Sequence, residues 1–319
     1  MTLKEMYEVA VEAGIDADPR GRQGVEKTLA RRKKEYDALS DARKAEYDQE
    51  DLWDPYIDSG VLFGDPKTEV KKILAGIDID ASEVAVAGIL NDRGEGIDAL
   101  VAHHPHATGY AALHEVMEMQ AENMARYGVP INVAEGIMRE RIDEVARKIS
   151  PRNHTQAVDA ARLLGIPFMT THTMADNMVF SFLEQLFLKK GAETVGEVMA
   201  VLKEIPEYQA AMKLKAGPVL FAGSEKNQAG KIAPLEITGG TEGSHASYEK
   251  LAHAGVGTVI SMHASEEHRK EAQKYHINLV IAGHMSSDSI GMNLLLDKFE
   301  ARGVEVVPCS GLIRVKRPV

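Results

Sequence analysis

At 319 residues the chain exceeds one typical domain, and with 44% hydrophobic and 27% charged residues its composition is that of a folded, water-soluble protein. Lys and Arg total 37 against 48 Asp and Glu, a formal charge of -11, so the net field repels polyanions and argues against nucleic acid or an acidic membrane as partner. One cysteine, Cys309, excludes an internal disulfide framework and any thiolate zinc module. It reads as a small buried apolar residue. With no leader pattern at MTLKEMYEVAVEAG and no run of about 18 apolar residues, the expectation is a soluble protein of the cytoplasm.

Residues 1–52 are rich in charge and helix formers, ARRKKEYDALSDARKAEYDQED among them, and predict a helical arm whose charges form a solvated face. From about residue 70 the rhythm changes: KKILAGIDI predicts a strand, ASEVAVAGILND a helix behind an Asp or Ser cap, and DALVA a second strand. Helical patterns run from AALHEVMEMQAENMARYG through HTQAVDAARLLG, before the strand IPFMTT. Residues 178–216 read as helical, broken at Gly191 and Pro206. The last third alternates strictly: KIAPLEIT, SYEKLAHAG, GTVISM, SEEHRKEAQKY, INLVIAG, SIGMNLLLDKFEARG, VEVVP. Strands alternating with helices predict parallel pairing. The expected architecture is α/β, with two halves of mainly parallel sheet flanked by helices and a site in the crevice between them. Its divisions are the arm 1–52, a first half 53–180, a helical connector 181–230 and a second half 231–319. No internal repeat is visible in the sequence.

In open α/β sheets the carboxyl ends of strands form the usual ligand crevice, and here several of them carry imidazole or carboxylate. DALVA is followed by His103, His104 and His106; IPFMTT by His172 and Asp176; INLVIAG by His284 and Asp288; GTVISM by His263. Any one such histidine is explained as a satisfied polar residue, but the adjacent pair and the twice-repeated His-x-x-x-Asp spacing point to a metal crevice. Imidazole with carboxylate suits zinc, manganese or iron. Two ions about 3.5 to 4 Å apart need a bridging carboxylate, which either Asp176 or Asp288 could supply. GGTEGSHASYEK places Gly243 and Ser244 before a helix, a candidate anion cradle weighed against a simple capped turn. His268 and His276 lie on a charged helix read as solvated surface.

WDPYIDSGVLFG (53–64), VAHHPH (101–106), THTMAD (171–176) and INLVIAGHMSSD (277–288) fall in an order that resembles the Nif-three-like dinuclear metal-centre proteins, also described as GTP cyclohydrolase I type 2 homologues. That family's signatures are Trp-Asp-Asn-x-Gly-Leu, His-His-Pro, His-Thr-Asn-Leu-Asp and Gly-His-x-x-x-Glu; the arm before residue 53 lies outside the resemblance. The resemblance implies two divalent ions with ligands at His103, His104, Asp176, His284 and Asp288, with His172 and His263 beside them. Two departures stand out. Asp288 replaces the family's Glu, so a bridge needs its backbone closer, and Asp58-Ser59 replaces Asp-Asn. The resemblance further implies hydrolysis of a nucleotide-like small molecule and a ring-shaped homo-oligomer, often hexameric. A non-catalytic metal-binding or partner-binding role stays open, separated from catalysis by whether the ions keep an open coordination position. DNA binding has the least support, because no basic helix or aromatic platform is present.

Overall fold

Strands sandwiched between helices need apolar residues on both faces, and a computed structural model, which describes residues 1–318, turns the apolar runs into such strands. In chain order they are β1 (Gly60–Phe63), β2 (Lys72–Gly76), β3 (Ala99–Ala102), β4 (Phe168–Thr170), β5 (Val219–Ala222), β6 (Lys231–Glu236), β7 (Val256–Ser261), β8 (Asn278–Ile281) and β9 (Glu305–Cys309). One sheet has the order β1-β4-β3-β2-β9 and the other β5-β8-β7-β6. All neighbours are parallel except β1 with β4 and β5 with β8. The α/β expectation of two mainly parallel sheets flanked by helices is therefore what the chain forms.

Reading β1 to β4 against β5 to β8 gives the same order twice, each time with the first strand antiparallel at the edge. The sequence shows no repeat, yet the topology repeats. Three further features differ from the sequence reading. The last strand of the 231–319 segment, β9, crosses back to pair with β2 in the first sheet, Lys72 opposite Glu305. The 181–230 connector contains a strand, β5. Cys309 lies on β9 and is only half-buried.

The arm has two characters. Its helix Gly21–Asp37 is largely exposed, as its charges require, but Leu3–Asp16 buries Leu3, Met6, Tyr7, Ala10 and Val11. These recur at helical spacing on one stripe and pack in one core with β2, β3 and the helices His172–Lys190 and His284–Glu300. Those two helices follow β4 and β8 and cross at Gly291, where a Cβ would lie 2.3 Å from the Ala175 carbonyl oxygen. Among the described residues no helix is long and apolar enough to cross a membrane.

Candidate metal centre

Each ligand-type residue stands where a strand has just ended. After β3, the amides of His103 and His104 donate to the carbonyls of Gly76 (2.9 Å) and Ile77 (3.0 Å), which extends the ladder and fixes both backbones. His172 opens the helix after β4, and His284 opens the helix after β8 behind Gly283, whose φ of +110° suits glycine. One helical turn on, Asp176 and Asp288 share a face with their histidines. Because the two helices cross so closely, both faces meet the histidine pair at the carboxyl ends of the two sheets.

The result is one cluster. His103 Nε2 lies 3.4 Å from Asp176 Oδ1 and 3.6 Å from Asp288 Oδ1. On the other side, His104 Nε2 and His284 Nε2 each lie 3.5 Å from Asp288 Oδ2. His172 Nε2 is 3.8 Å from Asp176 Oδ2. Three overlapping groups, His103–Asp176–Asp288, His104–His284–Asp288 and His103–His104–His172, each bring their ligand atoms within 4.8 Å of one another. All five expected ligands and His172 are thus brought together.

Both oxygens of Asp288, Asp176 Oδ1 and both ring nitrogens of His103 are buried without a hydrogen-bond partner. Orphaned polar groups of this kind carry a desolvation penalty of about 1–3 kcal/mol each or more, and divalent cations would satisfy them. The donor set of imidazole and carboxylate without thiolate fits zinc, manganese or iron.

The electrostatics agree. Burial would raise the Asp288 carboxyl, but the charges of His103, His104 and His284 together pull it far below the usual carboxylate range. Burial pushes the His284 imidazole down to about 4. Burial also opposes charge on His104, yet the carboxylates of Asp288 and Asp78 beside it win and raise it to about 10. His172 is likewise raised, by the charges of Asp176 and Asp58 against its burial. A negative site surrounded by imidazole gathers positive charge, as protons or as cations.

Two carboxylates that the sequence reading did not select orient the imidazoles. Asp58, fully buried, lies 2.7 Å from His172 Nδ1 and accepts from the Thr173 hydroxyl at 2.6 Å; Asp78 lies 2.6 Å from His104 Nδ1. Each leaves its partner's Nε2 facing the cluster, the arrangement that fixes a metal-binding imidazole. The signal for Asp78 was present, since it follows β2 as the histidines follow β3. His263 packs edge-on against His284, ring centres 4.8 Å apart, and stands outside the three groups. A cavity of about 670 Å³ opens against His104, His172 and His284, with His106, Tyr110 and His154 in its wall.

The loop holding Gly243 and Ser244 sits elsewhere. The Gly243 carbonyl is 3.2 Å from His268 Nε2, and Glu236 and Glu242 lie 3.4 and 3.3 Å from the same ring. Carboxylates so close disfavour an anion, and the helix that follows, Ser247–His253, is short. His268 itself is buried, contrary to the surface reading, while His276 is exposed.

The sequence model of the Duf34/NIF3 family (NGG1p interacting factor 3) matches residues 42–310. Among solved structures, the chain is similar to a NIF3 superfamily protein from Sphaerobacter thermophilus, with 28% identity and a TM-score of 0.70 over 80% of this chain and 92% of that one. It is also similar in fold to reduced HcgD from Methanocaldococcus jannaschii, with 17% identity and a TM-score of 0.51 over 82% and 92% of the two chains. No curated protein matches.

Proposed function

The chain belongs to the Duf34/NIF3 family, and from that membership and the geometry of its histidine–aspartate cluster we propose a dinuclear metal-binding protein that hydrolyses a small, nucleotide-like molecule. The observation that carries the reading is Asp288. Its two oxygens are buried and unpartnered, one facing His103 and the other facing His104 and His284. His103, Asp176 and Asp288 Oδ1 would hold one divalent ion, and His104, His284 and Asp288 Oδ2 the other. The shorter side chain is compensated by the close helix crossing at Gly291. Zinc, manganese and iron all suit these donors.

Two such ions, when bound, bring water close to neutrality in pKa and stabilise charge that develops on an attacked centre. The chain's own residues do the rest. Asp58 and Asp78 hold the imidazoles of His172 and His104 in one tautomer. The cavity beside the cluster admits a small molecule, with His106, Tyr110 and His154 in its wall. The open cavity favours catalysis over a closed storage or structural site. The nucleotide-like character of the substrate rests on the family resemblance, as does assembly into a ring of copies. Val86, Ile89, Leu163 and Leu164, exposed on the neighbouring helices Ala81–Asp92 and Gln156–Leu164, supply apolar surface for such assembly.

Metal analysis of protein reconstituted with zinc, manganese or iron tests the reading, with close to two ions per chain expected. Fewer than about half an ion per chain refutes it, and a clean value of one means that Asp288 does not bridge. A hydrolysis screen over phosphorylated nucleotides follows, and light scattering returning a monomer at micromolar concentration would remove the assembly.

A further inference from the structure

The family match begins at residue 42, yet residues before it reach one side of the cluster by two separate routes. The first runs through Asp18. Its carboxylate is buried, ion-paired with Arg20 at 2.8 Å, and accepts from the Tyr56 hydroxyl at 2.9 Å and from Asn177 Nδ2 at 3.3 Å. Asn177 follows Asp176 directly, and its amide also donates to the Gly14 carbonyl (3.3 Å) and accepts from the Thr238 hydroxyl (2.7 Å). At Gly14 the arm helix touches the ligand helix itself, since a Cβ there would lie 2.9 Å from Met174 Cα.

The second route runs through the loop 54–59. Arg32 donates to the carbonyls of Asp54 (3.0 Å) and Pro55 (3.1 Å), and the Tyr7 hydroxyl donates to the Asp54 carboxylate. The far end of that loop is Asp58, which holds His172. Among the described residues no hydrogen bond runs from residues 1–41 to His104, His284 or Asp78, the opposite side of the cluster.

We propose that residues 1–41 are a built-in brace for one of the two ion positions, in which Asp18 and Arg32 hold the ligand Asp176, and the His172 imidazole packed beside it, in the place that ion requires. Asp18 and Arg32 are positioning residues, because neither touches the cluster. The inference rests on the two-ion reading above. Polar partners bonded directly to a ligand change metal affinity by about 10- to 100-fold; Asp18 and Arg32 act one bond further out, through Asn177 and the 54–59 loop, so the effect lies at the lower end of that range and falls on one ion.

The experiment is a zinc titration of the full chain against a competing chelator. Asp18→Ala is expected to weaken one of two ions about tenfold or more and to leave the other within about threefold. In an Asp176→Ala background, which has already lost the braced ion, Asp18→Ala should change nothing further. Both ions unchanged by Asp18→Ala, or both weakened alike, overturns the brace. Should Asp18→Ala fail to fold, Tyr56→Phe removes a single donor to Asp18 and is expected to weaken the same ion severalfold; wild-type affinity there overturns it equally. Wild-type protein that takes up none of zinc, manganese and iron sinks both readings, whereas two wild-type ions untouched by these variants sink the brace alone.

Discussion

In the first sheet β4 leads into a helix that begins at His172 and turns Asp176 inward; in the second, β8 leads into a helix that begins at His284 and turns Asp288 inward. The strand orders match, but the endings differ. After β3 come His103 and His104, whereas after β7 come Met262 and His263. Asp176 reaches only the histidines of its own half, His103 and His172, while Asp288 reaches His103, His104 and His284. One scaffold has been used twice with asymmetric chemistry: one half supplies most of the imidazole, and the other supplies the carboxylate between the two groups.

That asymmetry predicts the largest effect. Asp288→Ala should abolish binding of both ions, and its equivalent Asp176→Ala should remove one, read by metal analysis and by the zinc-induced rise in melting temperature, which scales with native-state binding. Equal losses from the two variants would show the carboxylates to be interchangeable.

Next comes the crossing that joins the halves. Gly291→Ala drives a methyl group against the Ala175 backbone and should lower stability by about 1–3 kcal/mol, together with metal content. A denaturant midpoint unchanged from wild type would mean that the helices are free to separate. A titration effect of similar size compares one buried acid from each half. Burial, with Glu242 nearby, pushes Glu236 up to about 8 from 4.5; burial pushes Asp54 up to about 8 from 3.8. Between about pH 4.5 and 8 the folded chain keeps protons that the unfolded chain has released, so stability falls as pH rises through that window. In metal-free protein Glu236→Gln should flatten the decline by on the order of 1 kcal/mol per pH unit, and melting curves from pH 5 to 8 that match wild type would contradict it. The smallest effect is a gain. Gly136, inside the helix Ile131–Ile149, has open space where a Cβ would go, so Gly136→Ala should add about 1 kcal/mol; a loss in chemical denaturation would contradict that.

Much of this was legible because parallel strands buried on both faces leave unbroken apolar runs, and because His-x-x-x-Asp survives as a helical spacing. The antiparallel edges β1 and β5 were not legible, being four residues each and partly exposed, too short to show alternation. Asp58 stands out in the sequence only as part of a departure from the family's entry motif, since nothing local says that it will meet His172 more than a hundred positions later. The arm departs in part from the solvated-face expectation because its charges dominate the composition, although the stripe of Leu3, Met6, Tyr7, Ala10 and Val11 stands in the sequence at helical spacing. The repeated strand order left no trace in sequence because two halves need share only the alternation of polar and apolar positions to share a topology.

The return of β9 to the first sheet bears on how the molecule is made. Its partner β2 is synthesised early, but β2 keeps an open flank until Glu305–Cys309 emerges, after the whole second sheet has been made. Closing that pairing spans nearly three-quarters of the chain, the kind of distant contact that slows folding and leaves strand edges unprotected meanwhile. A ribosome that stops short of residue 305 therefore releases a first half with a bare parallel edge, a surface on which other unfinished chains can assemble.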